Sequence, residues 1–316
     1  MAQLPVHAHQ AHGLHHVEPI SPLPVPVADP APEHSALGKL LFHETALSGD
    51  GTIACANCHS VALAGTDGRR RAIGVNGVEG TRNAPSIFNS TLNLALSWDG
   101  RATTLAEQLE GPIHNPHEMA SNWPLIIERL SADPQYRAHF SRLYPDGITR
   151  RNVIDALVRY QQTLISPDAP FDRYLRGERD AIGADAREGY NRFKAYGCAS
   201  CHQGVNVGGN MFQRFGIMGD YFADRDGAAS PDPGRFLVTG KEEDLYVFKV
   251  PSLRNVALTA PYFHDGSVER LEDAIEIMGR YQLGRRLTEE DIRLIAAFLT
   301  TLTGTLSEGN QVLLPP

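Results

Sequence analysis

The sequence lacks any apolar run close to the 18 or so residues that a membrane-spanning helix requires. It also lacks a basic excess, because 37 Asp and Glu residues outnumber 29 Lys and Arg residues and give a formal net charge of −8. These absences argue against a helical membrane span and against nucleic-acid binding, and they favour a basic or dipolar protein partner. With 316 residues, of which 42% are hydrophobic, the chain can bury a sizeable core.

Cysteine is scarce, and its placement is informative. All four cysteines lie in two copies of one pentapeptide, CANCH at 55–59 and CASCH at 198–202. A zinc ribbon brings its two Cys-x-x-Cys pairs within about 15 to 20 residues, much closer than these two pairs. Neither pair lies at the strand-to-helix turn of a βαβ unit, as a thioredoxin-type pair would. A disulfide framework would not need the histidine that follows each pair.

Each pentapeptide is typical of a c-type haem attachment site. Its two thiols add across the haem vinyl groups, and the histidine that follows them becomes the proximal iron ligand. The sequence therefore predicts two covalently attached haems. The predicted attachment residues are Cys55, Cys58, Cys198 and Cys201, and the predicted proximal ligands are His59 and His202.

Regular strand patterns are nearly absent. The longest convincing one covers residues 246–250, whereas helical periodicity and capping residues recur along the chain. We therefore predict a mainly α fold with two c-type cytochrome domains, each binding one covalent haem, and with long irregular loops. The predicted helices cover residues 35–43, 104–111, 122–130, 149–165, 184–196, 268–281 and 288–303.

The predicted domain boundary is Ser166-Pro167, where the helix over 149–165 ends. It separates an N-terminal haem domain at 34–165 from a C-terminal haem domain at 166–303. Residues 1–33 are rich in proline and histidine and are expected to form an extended arm that builds no core. Residues 304–316 form a C-terminal tail, for which a return to the N-terminal domain is one alternative. The arm carries a solvated or metal-binding histidine group, His7, His9, His12, His15 and His16.

Covalent c-type haem is assembled outside the cytoplasm, so the expected location is the periplasm. The first ten residues have neither the basic nor the apolar region of a secretory signal. We therefore expect this chain to be the mature form, without its signal peptide.

The segments around the two haem motifs resemble the bacterial dihaem cytochrome c peroxidases. The resemblance runs through residues 35–304 and implies a peroxidatic haem in the N-terminal domain, an electron-transfer haem in the C-terminal domain and a calcium ion between them. It also implies a homodimer that reduces hydrogen peroxide to water with electrons from a small c-type cytochrome or a cupredoxin. The matching stretches are 37–42 (LGKLLF), 82–85 (RNAP), 98–101 (WDGR), 118–119 (EM), 170–175 (PFDRYL), 261–266 (PYFHDG) and 282–284 (QLG).

The resemblance also assigns roles around the N-terminal haem. Glu118 and Gln108 match the distal acid/base and its neighbour, and a carboxylate there can move a proton between the two peroxide oxygens. Trp98 matches the tryptophan between the two haems, although core packing alone would also explain a buried tryptophan. As isolated residues, Glu118 and Gln108 would be interpreted as solvated surface side chains.

Further roles concern the C-terminal haem and the calcium. Met278 matches the second axial ligand, a soft thioether that raises the reduction potential, although it also lies on an apolar helix face. His264 is expected near the same haem, with a structural hydrogen bond as the alternative. The side chain of Asn83 and the carbonyls of Thr259 and Pro261 match the calcium ligands, while Asn83 could instead cap a turn.

One departure from the family pattern is in the loop before residues 82–85. Many members carry a histidine there that closes the peroxidatic iron until the other haem is reduced, whereas this chain has Val75. We therefore expect a five-coordinate or water-bound N-terminal haem in the oxidised enzyme and no need for reductive activation. The alternative is that His114, His117 or an arm histidine fills the site.

Two other functions remain open at this stage. One is that of the dihaem oxidase that matures the tryptophan-derived quinone of methylamine dehydrogenase, which also lacks the gating histidine and has a tyrosine in place of the methionine ligand. Met278 argues against it, while Tyr281, three residues further on, keeps it open. The other is a dihaem electron carrier without a substrate, in which an open iron beside Glu118 would have no use.

Overall fold

The fold consists of helices joined by long irregular segments. The computed structural model describes residues 18–225 and 231–306 and the backbone of 310–312. Helices greatly outnumber strands in these residues, which confirms the predicted helical character. Within the same ranges, no helix is both long and apolar enough to cross a bilayer. The helices are α1 (Pro32–Phe42), α2 (Cys55–Cys58), α3 (Leu105–His114), α4 (Trp123–Ala132), α5 (Pro134–Leu143), α6 (Arg150–Gln162), α7 (Pro170–Leu175), α8 (Ala184–Ala195), α9 (Phe236–Thr239), α10 (Leu271–Ile277) and α11 (Glu289–Thr300).

The described strands form two small antiparallel pairs. Strand β1 (Pro26–Ala28) pairs with β4 (Asn310–Val312), and β2 (Phe212–Arg214) pairs with β3 (Val247–Lys249). The second pair contains the strand predicted over 246–250. In the first pair, the described part of the C-terminal tail lies beside residues 26–28.

Two hydrophobic clusters form the core. The first is built on α1, α3, α4, α5 and α6 and includes the fully buried residues Leu41, Ile126 and Phe140. The second is built on α7, α8 and α11 and includes the fully buried Phe171 and Phe298. Each cluster contacts the first cysteine and the following alanine of one pentapeptide. Each haem motif therefore lies against its own core.

A glycine allows the central helix pair of each cluster to approach closely. A Cβ atom on Gly38 of α1 would lie 1.9 Å from the carbonyl oxygen of Ala156 in α6. A Cβ atom on Gly189 of α8 would lie 1.9 Å from the carbonyl oxygen of Leu294 in α11. Real Cβ atoms do not approach backbone oxygens this closely, so both crossings require glycine.

Several helix boundaries differ from the prediction. Helix α3 continues through Pro112 to His114, although a proline inside a helix removes one backbone hydrogen bond. The helix predicted over 268–281 starts three residues later, as α10 (Leu271–Ile277), and continues as a π-helix (Met278–Gln282). Helix α5 was not predicted, although the Asp133-Pro134 pair that starts it is a recognisable signal, since the Asp133 carboxylate caps the Gln135 N–H.

The expectation that the arm builds no core is wrong for its second half. Ile20 and Leu23 are buried, at 2% and 1% exposure, and Ile20 belongs to the second cluster. The buried ion pair of Arg254 with Asp172 holds this segment, because Arg254 donates to the Ser21 carbonyl and Asp172 accepts from the Leu23 N–H. The five arm histidines at positions 7–16 lie outside the described residues.

We predict that Gly38→Ala lowers the urea midpoint of unfolding. The added methyl overpacks the α1–α6 crossing, which typically costs about 1–3 kcal/mol. The matched control is Gly183→Ala, an exposed position just before α8 where nothing lies within 4 Å of the added Cβ. That variant should cost less than about 1 kcal/mol, because it adds no close contact and changes only the N-cap residue of α8. Equal effects of the two substitutions would contradict the close crossing.

Candidate functional site

The residues predicted to form the site converge on one cavity of about 880 Å³. The cavity lies between the two hydrophobic clusters and takes wall residues from both, such as Leu109 from the first and Leu299 from the second. Both haem motifs open into it. The predicted site residues in its wall are Cys55, Cys58, His59, Asn83, Trp98, Gln108, Glu118, Cys198, Cys201, His202, Thr259, Pro261, His264 and Met278.

The first pentapeptide forms the short helix α2. The Asn57 side chain caps its N-terminus by accepting a hydrogen bond from the Ala54 N–H at 2.7 Å. One turn later, the His59 N–H donates to the Cys55 carbonyl at 3.0 Å. The His59 ring donates its Nδ1–H to the Gly65 carbonyl at 3.1 Å, which leaves Nε2 as the free ring nitrogen. Burial lowers the pKa of His59 and keeps the imidazole neutral, as iron ligation requires.

The second pentapeptide makes a single 3₁₀ turn (Cys198–Ser200) with the same arrangement. The His202 N–H donates to the Cys198 carbonyl at 3.0 Å. Burial lowers the pKa of His202 to about 4, and the nearby carbonyls of Pro251 and Val207 offset this only in part. Its buried Nδ1 has no hydrogen bond within the described residues. His202 is therefore neutral at physiological pH.

The four cysteines are free thiols. Burial raises the pKa of Cys55 to about 12 and the pKa values of Cys58 and Cys198 to about 11. A catalytic redox pair of the thioredoxin type needs the opposite shift. Among the described residues, no three His, Cys, Asp or Glu side chains converge to hold a metal ion, which also argues against zinc. Two thiols and one neutral imidazole per motif, facing a largely apolar cavity, fit a c-type haem.

Glu118 lies in the wall near the first motif. Its Oε1 accepts a hydrogen bond from the Asn115 side-chain amide at 2.7 Å. Burial raises the pKa of this carboxyl, and the Asn115 hydrogen bond opposes the rise. Gln108 lines the same cavity from α3, whose start is fixed by a capping box between Thr104 and Glu107. A carboxyl with a raised pKa beside an amide is suited to giving and taking a proton.

The loop that carries Val75 is packed against the Glu118 segment. Val75 is 1% exposed and does not line the cavity, and its N–H donates to the Glu118 carbonyl at 2.9 Å. The next N–H, of Asn76, donates to Asp50 Oδ2 at 3.2 Å. No side chain from residues 75–79 therefore reaches the cavity.

The two neighbouring histidines occupy different positions. The ring of His114 is held on both sides, with Nδ1 3.2 Å from the Ser121 carbonyl and Nε2 3.2 Å from Glu110 Oε2. It would have to break one of these contacts to bind iron. His117 is exposed at the cavity wall.

Trp98 and His264 lie next to each other in the cavity wall. Their ring centroids are 6.4 Å apart with nearly perpendicular planes, and His264 stacks on Phe248 at 4.2 Å. Asn83 holds both residues, because its carbonyl accepts from Trp98 Nε1 at 2.9 Å and its N–H donates to the His264 carbonyl at 2.8 Å. The Asn83 backbone thus holds both aromatic residues in the cavity wall.

Known proteins share this architecture. A family model described as di-haem cytochrome c peroxidase matches residues 32–180. Cytochrome c peroxidase Ccp of Escherichia coli is 46% identical over 298 residues, which cover 94% of this chain and 63% of that protein. Cytochrome c551 peroxidase of Nitrosomonas europaea is 42% identical over 300 residues, which cover 95% of this chain and 88% of that protein. The chain belongs to the di-haem cytochrome c peroxidase family.

A solved structure agrees with this membership. The crystal structure of a MauG-like protein associated with microbial copper homeostasis superposes with a TM-score of 0.78 at 32% identity, covering 93% of this chain and 96% of that one. The resemblance inferred from the sequence is therefore confirmed. As a member of the di-haem cytochrome c peroxidase family, the chain is expected to hold one haem at each pentapeptide.

For a di-haem peroxidase, the contrast between Met278 and Tyr281 is informative. Met278 begins the π-helix and lines the cavity. Tyr281 does not line it, and its hydroxyl instead donates to Asp224 Oδ2 at 3.0 Å. Of the two candidates for the second axial position, only Met278 therefore faces the cavity.

The three residues expected to bind calcium all border the cavity. The Asn83 amide donates from Nδ2 to the Arg69 carbonyl at 2.9 Å, which leaves Oδ1 as its free acceptor. An amide oxygen together with the carbonyls of Thr259 and Pro261 is an oxygen-only set of the kind calcium prefers.

The sequence pointed to Trp98 but not to the ion network next to it. Asp99 is fully buried and accepts from Arg82 at 2.6 Å and from Arg101. Arg82 also binds both carboxylate oxygens of Asp232. Arg82, Asp99 and Arg101 all lie in the RNAP and WDGR stretches, and their charges could have suggested ion pairs. Which residues pair, however, depends on the tertiary fold.

We predict that Met278→His lowers the midpoint potential of the C-terminal haem by more than about 59 mV, which is a tenfold change for one electron. Replacing a thioether by an imidazole removes the ligand that favours reduced iron. The control Tyr281→Phe should leave both potentials unchanged, because Tyr281 does not line the cavity. Redox titration of both haems is the measurement, and an unaltered potential in Met278→His would show that Met278 only packs.

Proposed function

We propose that this protein is a di-haem peroxidase that reduces hydrogen peroxide to water with electrons from a small c-type cytochrome or a cupredoxin. The observation that carries the proposal is the convergence of both pentapeptides, Glu118 and Gln108 on one cavity in a member of this family. Each turnover consumes two electrons and two protons and converts one peroxide molecule into two water molecules.

The haems, once attached through the four thiols with His59 and His202 as ligands, supply the redox chemistry for breaking the O–O bond. The protein supplies the protons. Glu118 takes the proton from the inner oxygen of the peroxide and returns it to the outer oxygen, so that water is the leaving group. The raised pKa of Glu118 supports this role, because the carboxyl can hold a proton closer to neutral pH.

The N-terminal site is proposed to be open in the oxidised enzyme. Val75 stands where gated family members carry a histidine, and its loop is tied to Glu118 and Asp50 through backbone N–H groups. His114 is bonded at both ring nitrogens. We therefore propose that turnover begins without prior reduction.

The remaining assignments complete the proposal. Met278 is the second ligand of the C-terminal haem, and Trp98 with His264 is the aromatic bridge between the haems. Asn83, Thr259 and Pro261 hold a calcium ion. Each hydrophobic cluster forms one haem domain, and the enzyme acts as a homodimer in the periplasm.

Neither alternative function has a specific observation in its favour. The role in maturing a protein-derived quinone needs a tyrosine at the second haem, and Tyr281 donates to Asp224 instead of lining the cavity. A simple electron carrier would not need a buried carboxyl such as Glu118 in the wall of the cavity.

We predict that Glu118→Gln keeps haem content and fold but slows peroxide reduction by about 10²- to 10⁴-fold, the usual effect of losing a general acid or base. The matched control is Glu128→Gln, because Glu128 is exposed on α4 and does not line the cavity. Stopped-flow measurement of the reaction with peroxide tests both variants. A Glu118→Gln variant that reacts at the wild-type rate would remove Glu118 from the mechanism.

Steady-state oxidation of a reduced c-type cytochrome by peroxide tests the open site. Enzyme that has never been reduced should turn over at once, at the same rate as a sample reduced beforehand. A lag that prior reduction abolishes would show that a hidden ligand closes the iron. No turnover under either condition would overturn the peroxidase proposal.

A further inference from the structure

Lys249 is a buried lysine with no partner. It lies on β3, is 8% exposed and lines the central cavity. Its backbone N–H donates to the Trp98 carbonyl at 2.8 Å. Its ammonium group, in contrast, forms no hydrogen bond or ion pair with any residue that the structure describes.

Buried cations are normally paired, because an uncompensated charge is costly to remove from water. The other buried lysine or arginine among the described residues follows this rule. Arg254 is 3% exposed and binds both carboxylate oxygens of Asp172, at 3.0 and 3.1 Å. Burial lowers the pKa of Lys249 to about 8, with no neighbouring anion to oppose it. Lys249 is thus the exception that needs a partner.

The two carboxylates on the segments that adjoin the Lys249 strand are already occupied. Asp99, next to the Trp98 carbonyl that Lys249 contacts, accepts from both Arg82 and Arg101. Asp232 accepts from Arg82 through both oxygens, at 2.6 and 2.8 Å. Neither carboxylate is free to pair with Lys249, whose side chain lines the cavity.

The backbone after Lys249 leads to the second haem motif. A Cβ atom on Gly208 would lie 2.3 Å from the Pro251 carbonyl oxygen and 3.2 Å from His202 Nδ1. The glycine therefore lets the chain two residues beyond Lys249 pass directly beside the ring of His202. Lys249 thus lies on the segment that links the two, since its backbone N–H binds the Trp98 carbonyl and the chain two residues further on lies beside His202.

We propose that the Lys249 ammonium group forms an ion pair with a propionate carboxylate of the haem attached through Cys198 and Cys201. A haem carries two carboxylates, and one of them supplies the anion that this part of the cavity lacks. The pair orients the haem edge, and its positive charge favours the reduced state of that haem. The inference rests on the proposed second haem but not on peroxidase activity.

The test is a redox titration of the purified holoenzyme together with its resonance Raman spectrum. Lys249→Met should lower the reduced-to-oxidised ratio of the C-terminal haem about tenfold at a given potential, a shift of about 59 mV for one electron. It should also shift the propionate bending band, which reports hydrogen bonding to the carboxylate. The N-terminal haem should change much less.

The matched control is Lys241→Met, because Lys241 is exposed and its side chain pairs only with Glu243, at 3.7 Å. It should leave both potentials and the band unchanged. Lys249→Arg should keep the potential but shift the band, because a guanidinium binds a carboxylate with a different geometry.

Three results would overturn the ion pair. They are an unchanged potential and band in Lys249→Met, a shift confined to the N-terminal haem, and an unchanged band in Lys249→Arg. The arginine variant decides the matter if the neutral variant fails to mature. Haem content and spectra are measured on the same samples, so loss of the second haem is distinguished from failure of the pairing, and neither readout requires peroxide turnover.

Discussion

The rest of the structure depends on two close helix crossings. At Gly38 and at Gly189, a helix backbone lies against the carbonyl of a second helix with no room for a Cβ atom. Each crossing fixes one hydrophobic cluster, and each cluster packs against the first residues of one Cys-x-x-Cys-His motif. Both motifs thereby line the same cavity, and burial keeps both histidines neutral.

Burial then determines how the polar groups of the cavity behave. It raises the pKa of Glu118, which favours proton transfer, and it requires charged groups to be paired. Asp99 meets that requirement with two arginines. Lys249 does not meet it within the described chain, so a haem propionate is its proposed partner. Burial thus accounts both for the raised pKa of Glu118 and for the need of Lys249 for an anionic partner.

Local signals in the sequence were sufficient for much of the fold. The pentapeptides, the capping box at Thr104 and the start of α8 at residue 184 were all recognisable, and each depends on residues close in sequence. The second half of the arm was not, because Ile20 is buried only by contacts with residues more than 150 positions away. The orientation of the Tyr281 side chain depends on the π-helix and on the hydrogen bond to Asp224. Neither can be predicted from the hydrophobic periodicity of the sequence. The lack of a partner for Lys249 depends on the tertiary positions of Asp99 and Asp232, which the sequence does not reveal.

The most direct test of the central claim is the low-temperature EPR spectrum of the fully oxidised enzyme before any reduction. An N-terminal haem with His59 on one side and no protein ligand on the other should give a high-spin ferric signal, and the C-terminal haem with His202 and Met278 should give a low-spin signal. Two low-spin signals would show that a side chain closes the N-terminal iron and would contradict the account of Val75 and the open site.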